Sequence, residues 1–241
     1  SRPCAGGQPC LEILGFTVRR IEGTGHDAAA RVASISYRPR WVDAPLILAE
    51  GAVATLPSDM RPGGLWLAFA DAAGSLDESV AALRALGERV VVVRPAEGFR
   101  LEGDEAGARR DDPGDIARLL DELGAARGAV RGVVHAWTAE SATAPGEAFD
   151  DGLAASLEAL ALVKPLCALA APPRTWVLTS GASDAFEGPD PAQAGAIGVV
   201  RVAMHENPSL ALALVDAERG FRIPVDEFLR KENDEEIAWI G

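Results

Sequence analysis

Ser180 closes an apolar run, Trp176-Val-Leu-Thr-Ser180, and a helix-like stretch follows it. A serine hydroxyl at a strand end can orient a carbonyl for reduction if a phenol stands across from it as the general acid. Thirteen residues on, in the helix-like stretch, stands Gln193 and not a tyrosine. A neutral amide cannot donate a proton to a carbonyl oxygen in this way. The one tyrosine of the chain, Tyr37, is far upstream. Lys164 lies beside Pro165, nearer the strand than a catalytic lysine of this kind would be, and two turns further back the Ser156 region offers no lysine. Lys164 therefore reads as a solvated helix residue. Without a donor to orient, Ser180 is expected to cap or support the turn that follows it.

A hydride source would need a cradle. A dinucleotide fold binds the pyrophosphate at its first strand-to-helix turn, where several glycines allow close approach of the backbone. That turn is Asp71-Ala-Ala-Gly-Ser-Leu76, with Gly74 alone and a carboxylate, Asp71, where phosphate charge belongs. Arg94 follows the second strand, where an arginine can meet a 2′-phosphate, but without the loop it reads as an ordinary strand-end residue. Gly23-Thr-Gly25 lacks a strand and helix around it and reads as linker. Gly181-Ala-Ser183 is not a nucleophile elbow, and Asp111-Asp112 and Glu235-Glu236 read as loop charges. His26, His135 and His205 are far apart, no CxxC occurs, and Cys4, Cys10 and Cys167 are odd in number. That pattern fits reduced thiols in a cytoplasmic protein, not a disulfide framework or a zinc site. No catalytic, cofactor-binding or metal-binding residue is assigned.

The elements that would position such groups alternate regularly. Residues 65–70, 89–93, 132–137, 175–179 and 210–215 read as strands, several of them continuous apolar runs as in strands buried on both faces. Residues 79–86, 115–123, 153–171, 192–205 and 224–230 read as helices between and after them, with Pro165 expected to kink or divide the third. Strands alternating with helices imply a parallel sheet with right-handed crossovers. Trp66, Trp137 and Trp176 fall on inner strands, so core packing is their expected role. Residues 11–20 and 34–41 also read as strands, with a Gly- and Ala-rich linker over 22–30. The end, Ile237-Ala-Trp-Ile-Gly241, reads as an unfinished strand, as in a piece of a longer polypeptide. It and residues 34–41 do not fit the strand–helix run, and they are expected to lie side by side, which brings the two ends of the domain together.

The 241 residues suit one large α/β domain or one domain with an appendage, and 48% apolar residues are enough for a sizeable core. A formal charge of −13 argues against nucleic acid or an anionic membrane surface as partner. No apolar run is long enough to span a bilayer and no signal core opens the chain.

Taken together, Tyr37-Arg-Pro-Arg-Trp41, residues 64–71, 87–95, 132–137 and 176–182, and Gln193 through His205-Glu-Asn-Pro208 resemble the structural subdomain of a ketoreductase, or pseudo-ketoreductase, from a bacterial modular type I polyketide synthase. The resemblance covers residues 33–241. Ala196-Ile197 departs from it, since the family often carries a tryptophan there. Residues 1–22 resemble the last strand of a dehydratase domain, and 23–32 a linker. The resemblance implies a truncated Rossmann-like, short-chain-reductase-like α/β fold with a mainly parallel sheet and flanking helices. It implies a non-catalytic scaffold that braces an NADPH-binding catalytic half, with no cofactor of its own. The parent would be a polyketide synthase of the acyltransferase class. Its dehydratase, and an enoylreductase or methyltransferase domain, would be neighbours, and an acyl carrier protein a transient partner. An atypical NADP-dependent short-chain reductase and an acyl-carrier docking module are the alternatives.

Overall fold

In the computed structural model, residues 41, 60–125, 129–140, 148–220, 222–229 and 236–240 are described. The chain divides into two units, 1–44 and 45–241, and of the first only Trp41 is among these residues. The expected strands at 11–20 and 34–41 and the linker between them lie outside the described residues.

The larger unit is built on an eight-stranded sheet. Its strands are β1 (Leu65–Phe69), β2 (Arg89–Pro95), β3 (Arg100–Glu102), β4 (Glu105–Ala108), β5 (Val130–His135), β6 (Arg174–Ser180), β7 (Leu212–Ala217) and β8 (Glu236–Trp239). They lie in the order β3-β4-β2-β1-β5-β6-β7-β8, and every pairing is parallel except that of β3 with β4. The helices are α1 (Asp77–Ala85), α2 (Pro113–Glu122), α3 (Ala148–Cys167), α4 (Ala194–Glu206) and α5 (Val225–Leu229).

Strand periodicity splits the apolar side chains of each run between two cores. Leu67, Phe69, Val91, Val133 and Val177 pack with Ile116 of α2, Leu162 and Leu166 of α3 and Val200 of α4. Trp66, Ala68, Val92, Val134 and Trp176 pack on the other face with Val80 and Leu83 of α1 and Phe228 of α5. All five residues of β1 are buried, which a continuous apolar run requires and an alternating one would not allow. Burial of each large side chain contributes about 1.5–3 kcal/mol. Gly132 in β5 pairs with Trp66, whose ring would lie 2.3 Å from a Cβ there. The indole thus crosses β5 over bare backbone and stacks on Trp176 of β6, 5.8 Å between centroids.

The order of elements from β1 to β8 follows the alternation in the sequence, with four differences. First, β3 and β4 form a hairpin where no element is expected, and residues 96–104 alone carry the chain from β2 to its parallel neighbour β4. A helical crossover normally needs a dozen or more residues, so an antiparallel edge strand takes its place. Second, α3 is not divided at Pro165, which falls in the last turn, where little of the ladder remains to lose. Third, β5 ends at His135, and Trp137 lies not on the strand but in a short 3-10 turn, Trp137–Ala139. The tryptophan is buried all the same. Fourth, β8 does fit the strand–helix run, because it follows α5 and pairs in parallel with β7. Its pairing with residues 34–41 lies outside the described residues. Among the described residues no helix is long and apolar enough to cross a membrane.

Candidate functional site

In an open parallel sheet, ligands enter at the carboxyl ends of the strands where the strand order reverses. Here that switch point lies between β1 and β5, because β2 and β4 extend the sheet to one side and β6, β7 and β8 to the other. The crevice is held shut by the chain's own groups. Ala136 N donates to Phe69 O at 2.9 Å, and the indole Nε1 of Trp137 donates to Ala70 O at 3.0 Å. Two residues further along, Ala72 N donates to Glu140 Oε1 at 2.8 Å. The first of these continues the β1–β5 ladder, and the other two join the loops after β1 and β5 at the place where a nucleotide would part them.

The turn after β1 is internally occupied as well. Asp71 is buried and its Oδ1 accepts from Ser75 N at 2.9 Å. Gly74 takes a left-handed conformation, φ 72°, and Asp77 and Glu78 fill the first turn of α1. Carboxylates there complement the positive end of the helix and repel a phosphate. Arg94 is exposed on β2, outside this crevice.

Arg110, which follows β4, anchors the far side of the closure. It is ion-paired to Glu140 and donates from Nη1 to Glu158 Oε1 of α3 at 3.0 Å. Its guanidinium lies over the Trp137 ring, 5.7 Å from the centroid. Burial pushes the Glu158 carboxyl above its usual range, and the Arg110 hydrogen bond opposes that shift. His135 is fully buried beside Phe69 and Trp137, and its ring nitrogens have no hydrogen-bond partner. Burial, aided by the Arg110 charge, pushes its pKa down to about 3. It is a neutral core residue, and no metal-ligand cluster occurs among the described residues.

The thirteen-residue spacing does bring Gln193 to Ser180. Gln193 is 1% exposed at the end of a 3-10 turn that precedes α4, so the stretch read as one helix from 192 begins as a 3-10 turn. Its Oε1 accepts from Ser180 N at 2.7 Å, and its Nε2 donates to Ser180 O at 3.4 Å. The amide therefore holds strand backbone and does not address the serine hydroxyl. The turn after β6 is held by Asp216 of β7 rather than by Ser180, against the expectation. The buried Asp216 carboxylate accepts from Thr179 Oγ1 at 2.8 Å, Ala182 N at 3.0 Å and Ser183 N at 2.6 Å. Lys164 is exposed on α3, as expected of a solvated helix residue. Ser156 lies instead against α4, where its Oγ occupies the space that a Cβ on Gly195 would need.

Two of the charges expected in loops have structural partners. Asp112 caps α2 by accepting from Gly114 N at 2.7 Å, and Glu236, which stands not in a loop but at the start of β8, forms a two-bonded pair with Arg201, both at 2.7 Å. A cavity of about 280 Å³ remains between the turn after β1 and the loops after β6 and β7. Asp71, Ser75, Ser180, Glu218 and Arg222 line it. That is at the lower end of the range of about 300–1,000 Å³ usual for small-molecule sites. Glu140, Arg110, Asp216 and Trp137 define this end of the sheet. Of these only Trp137 stands out in the sequence, and only as a core residue.

No family profile matches the chain, and no curated protein matches it. Solved structures do. A multidomain structure with the adenylation, ketoreductase and pseudo Asub parts of a keto acid-selecting NRPS module superposes with a TM-score of 0.66 at 19% identity. The match covers 83% of this chain and 17% of that one. A short chain dehydrogenase from Mycobacterium smegmatis matches at TM-score 0.53 and 11% identity, over 75% of this chain and 92% of that one. A short-chain dehydrogenase/reductase from Serratia marcescens matches at TM-score 0.50 and 12% identity, over 74% and 96%. The fold is thereby defined as α/β and Rossmann-like, a mostly parallel sheet with flanking helices, similar to that of these short-chain dehydrogenases.

Proposed function

We propose that this chain is a non-catalytic subdomain that braces the NADPH-binding half of a ketoreductase, and its neighbouring domains, within a polyketide synthase-type module. The observation that carries the reading is the closed switch point, where Trp137 and Glu140 bind the backbone that a cofactor would have to reach. Gln193 supports it, since the group facing Ser180 is an amide engaged with backbone. The likeness to part of an NRPS module that includes a ketoreductase agrees with a multidomain setting.

A brace needs an adhesive face. Leu153, Leu157 and Leu160 recur along α3 at a spacing that puts them on one side of the helix, and they are 52%, 41% and 41% exposed. Val202 of α4 is 53% exposed. Apolar side chains in such a row are expected to be covered by a neighbouring domain. The dehydratase and the catalytic half are the intended neighbours, an enoylreductase or methyltransferase domain a further one, and an acyl carrier protein a passing one. The cofactor belongs to the catalytic half and not to this chain.

The test is a titration of the chain with NADPH, followed by incubation with a β-ketoacyl thioester. No saturable fluorescence change and no turnover are expected, for the chain itself or for Gln193→Tyr, because a proton donor is useless without a bound hydride source. Turnover that Ser180→Ala abolishes would establish the reductase reading instead. A second arm compares sedimentation of the chain with that of a Leu157→Lys, Leu160→Lys double variant. The chain alone should self-associate and the variant should not, and equal behaviour would remove the adhesive face.

A further inference from the structure

The cavity between the turn after β1 and the loops after β6 and β7 holds a buried carboxylate that the chain satisfies only in part. Asp71 is 4% exposed. Its Oδ1 accepts from Ser75 N at 2.9 Å. Among the described residues its Oδ2 has no hydrogen-bond partner, and no cation pairs with it. Ser75 Oγ is buried in the same wall and also lacks a partner. Ser180 contributes a third oxygen, since Gln193 engages its backbone and leaves its hydroxyl. Glu218 adds a second carboxylate to the lining. Arg222, the one cation among the described lining residues, stands 3.5 Å from Gly74 O and 3.5 Å from Glu78.

Burying a carboxylate without a donor or a counter-ion costs free energy, and so does burying a hydroxyl without a partner. A ligand that brings both a positive charge and N–H donors removes both costs. An ammonium group carries three such donors and no acceptor. Leu178 and Ile223 supply apolar wall beside the polar groups, which suits a short alkyl chain. Asp77 and Glu78 in the first turn of α1 add negative charge near the mouth, and a cleft lined by one sign of charge concentrates the opposite ion. We propose that this cavity binds a small primary amine in its ammonium form, with Asp71 as the counter-ion and the Ser75 and Ser180 hydroxyls as further acceptors. The cavity thus selects a small cation and rejects anions. The proposal does not depend on the bracing role, since it needs neither a hydride source nor a partner domain.

The probe is n-propylamine at neutral pH, where it is an ammonium ion. The full chain is titrated with it, with propionate and with n-propanol, all at matched ionic strength, while the backbone amide resonance of Ser75 is followed by NMR. The resonance should shift saturably with propylammonium and not with propionate. Propanol, of the same length but neutral, should bind at least about tenfold more weakly, as loss of one hydrogen bond to a charged group implies. Asp71→Asn keeps the shape and removes the charge, and it should lower the propylammonium affinity by at least about tenfold. Ser75→Ala keeps the reporting amide and should lower it by about twofold to tenfold. A Ser75 resonance in the wild-type chain that propylammonium does not shift would overturn the proposal, and so would an equal response to propionate or propanol. Unchanged affinity in a folded Asp71→Asn would do the same. If that variant does not fold, unchanged affinity in Ser75→Ala overturns the assignment of the site.

Discussion

Lowering the pH from 7 to 5 should cost this fold about 2 kcal/mol through His135 alone. The ring lies in β5 with its centroid 5.2 Å from that of Phe69 and 5.4 Å from that of Trp137. Burial first, and the Arg110 charge second, lower its pKa from 6.5 to about 3. The folded state thus keeps the ring neutral at pH 5, whereas the unfolded chain protonates it near 6.5. Between those two values the unfolded state binds more protons, so stability is full above about 6.5 and drains away as the pH falls towards 3. Each pH unit in that window is worth about 1.4 kcal/mol, and pH 5 lies about one and a half units into it. The assay is urea unfolding followed by tryptophan fluorescence at pH 7, 6 and 5, for the wild-type chain and His135→Leu. Carboxylates titrate in both proteins, so the informative quantity is the difference between their losses. Wild type should lose about 2 kcal/mol more than His135→Leu over this range. Equal losses, or a native imidazole resonance that titrates near its ordinary value, would refute the assignment of His135 as a neutral core residue.

Two further outcomes follow from packing and hydrogen bonding. Asp216→Ala should destabilise the chain by roughly 2–5 kcal/mol, because the buried amides of Ala182 and Ser183 and the Thr179 hydroxyl each lose an acceptor. Urea unfolding measures this, and a loss under about 1 kcal/mol would mean that water replaces the carboxylate. Gly132→Ala should cost about 1–3 kcal/mol, since the new methyl would enter the Trp66 ring. A thermal melt with an unchanged midpoint would show that the indole moves aside freely.

The parts of the fold legible in the sequence are those with long apolar runs. Residues 65–69, 90–93 and 176–179 are buried on both faces, so their identity as inner strands needs no partner to be known. The β3–β4 hairpin was not legible, because Arg-Leu-Glu and Glu-Ala-Gly-Ala carry almost no apolar pattern and their pairing is set by the neighbouring β2. At the site, the Ser180–Gln193 pair was readable as a spacing within one strand–turn–helix unit. What the amide does there was not, since its partner is backbone. The closure was not readable either: Glu140 meets Ala72 across 68 residues and Arg110 across 30, and nothing local marks a glutamate as an acceptor for a distant loop. The role expected of Ser180 belongs to Asp216 for the same reason, because that carboxylate arrives from the adjacent strand.

The absence of a side chain at Gly132 has an optical consequence. Trp66 and Trp176 stand on strands that do not touch, yet their rings lie 5.8 Å apart with planes inclined by 26°. Two indoles that close couple their electronic transitions, and because they are inclined and held by rigid strands the coupling is chiral. The folded chain should therefore carry a paired positive and negative band in its far-ultraviolet circular dichroism that neither tryptophan gives alone. That signal reports the alignment of β1 and β6 across β5, independently of backbone helicity, and without any added label.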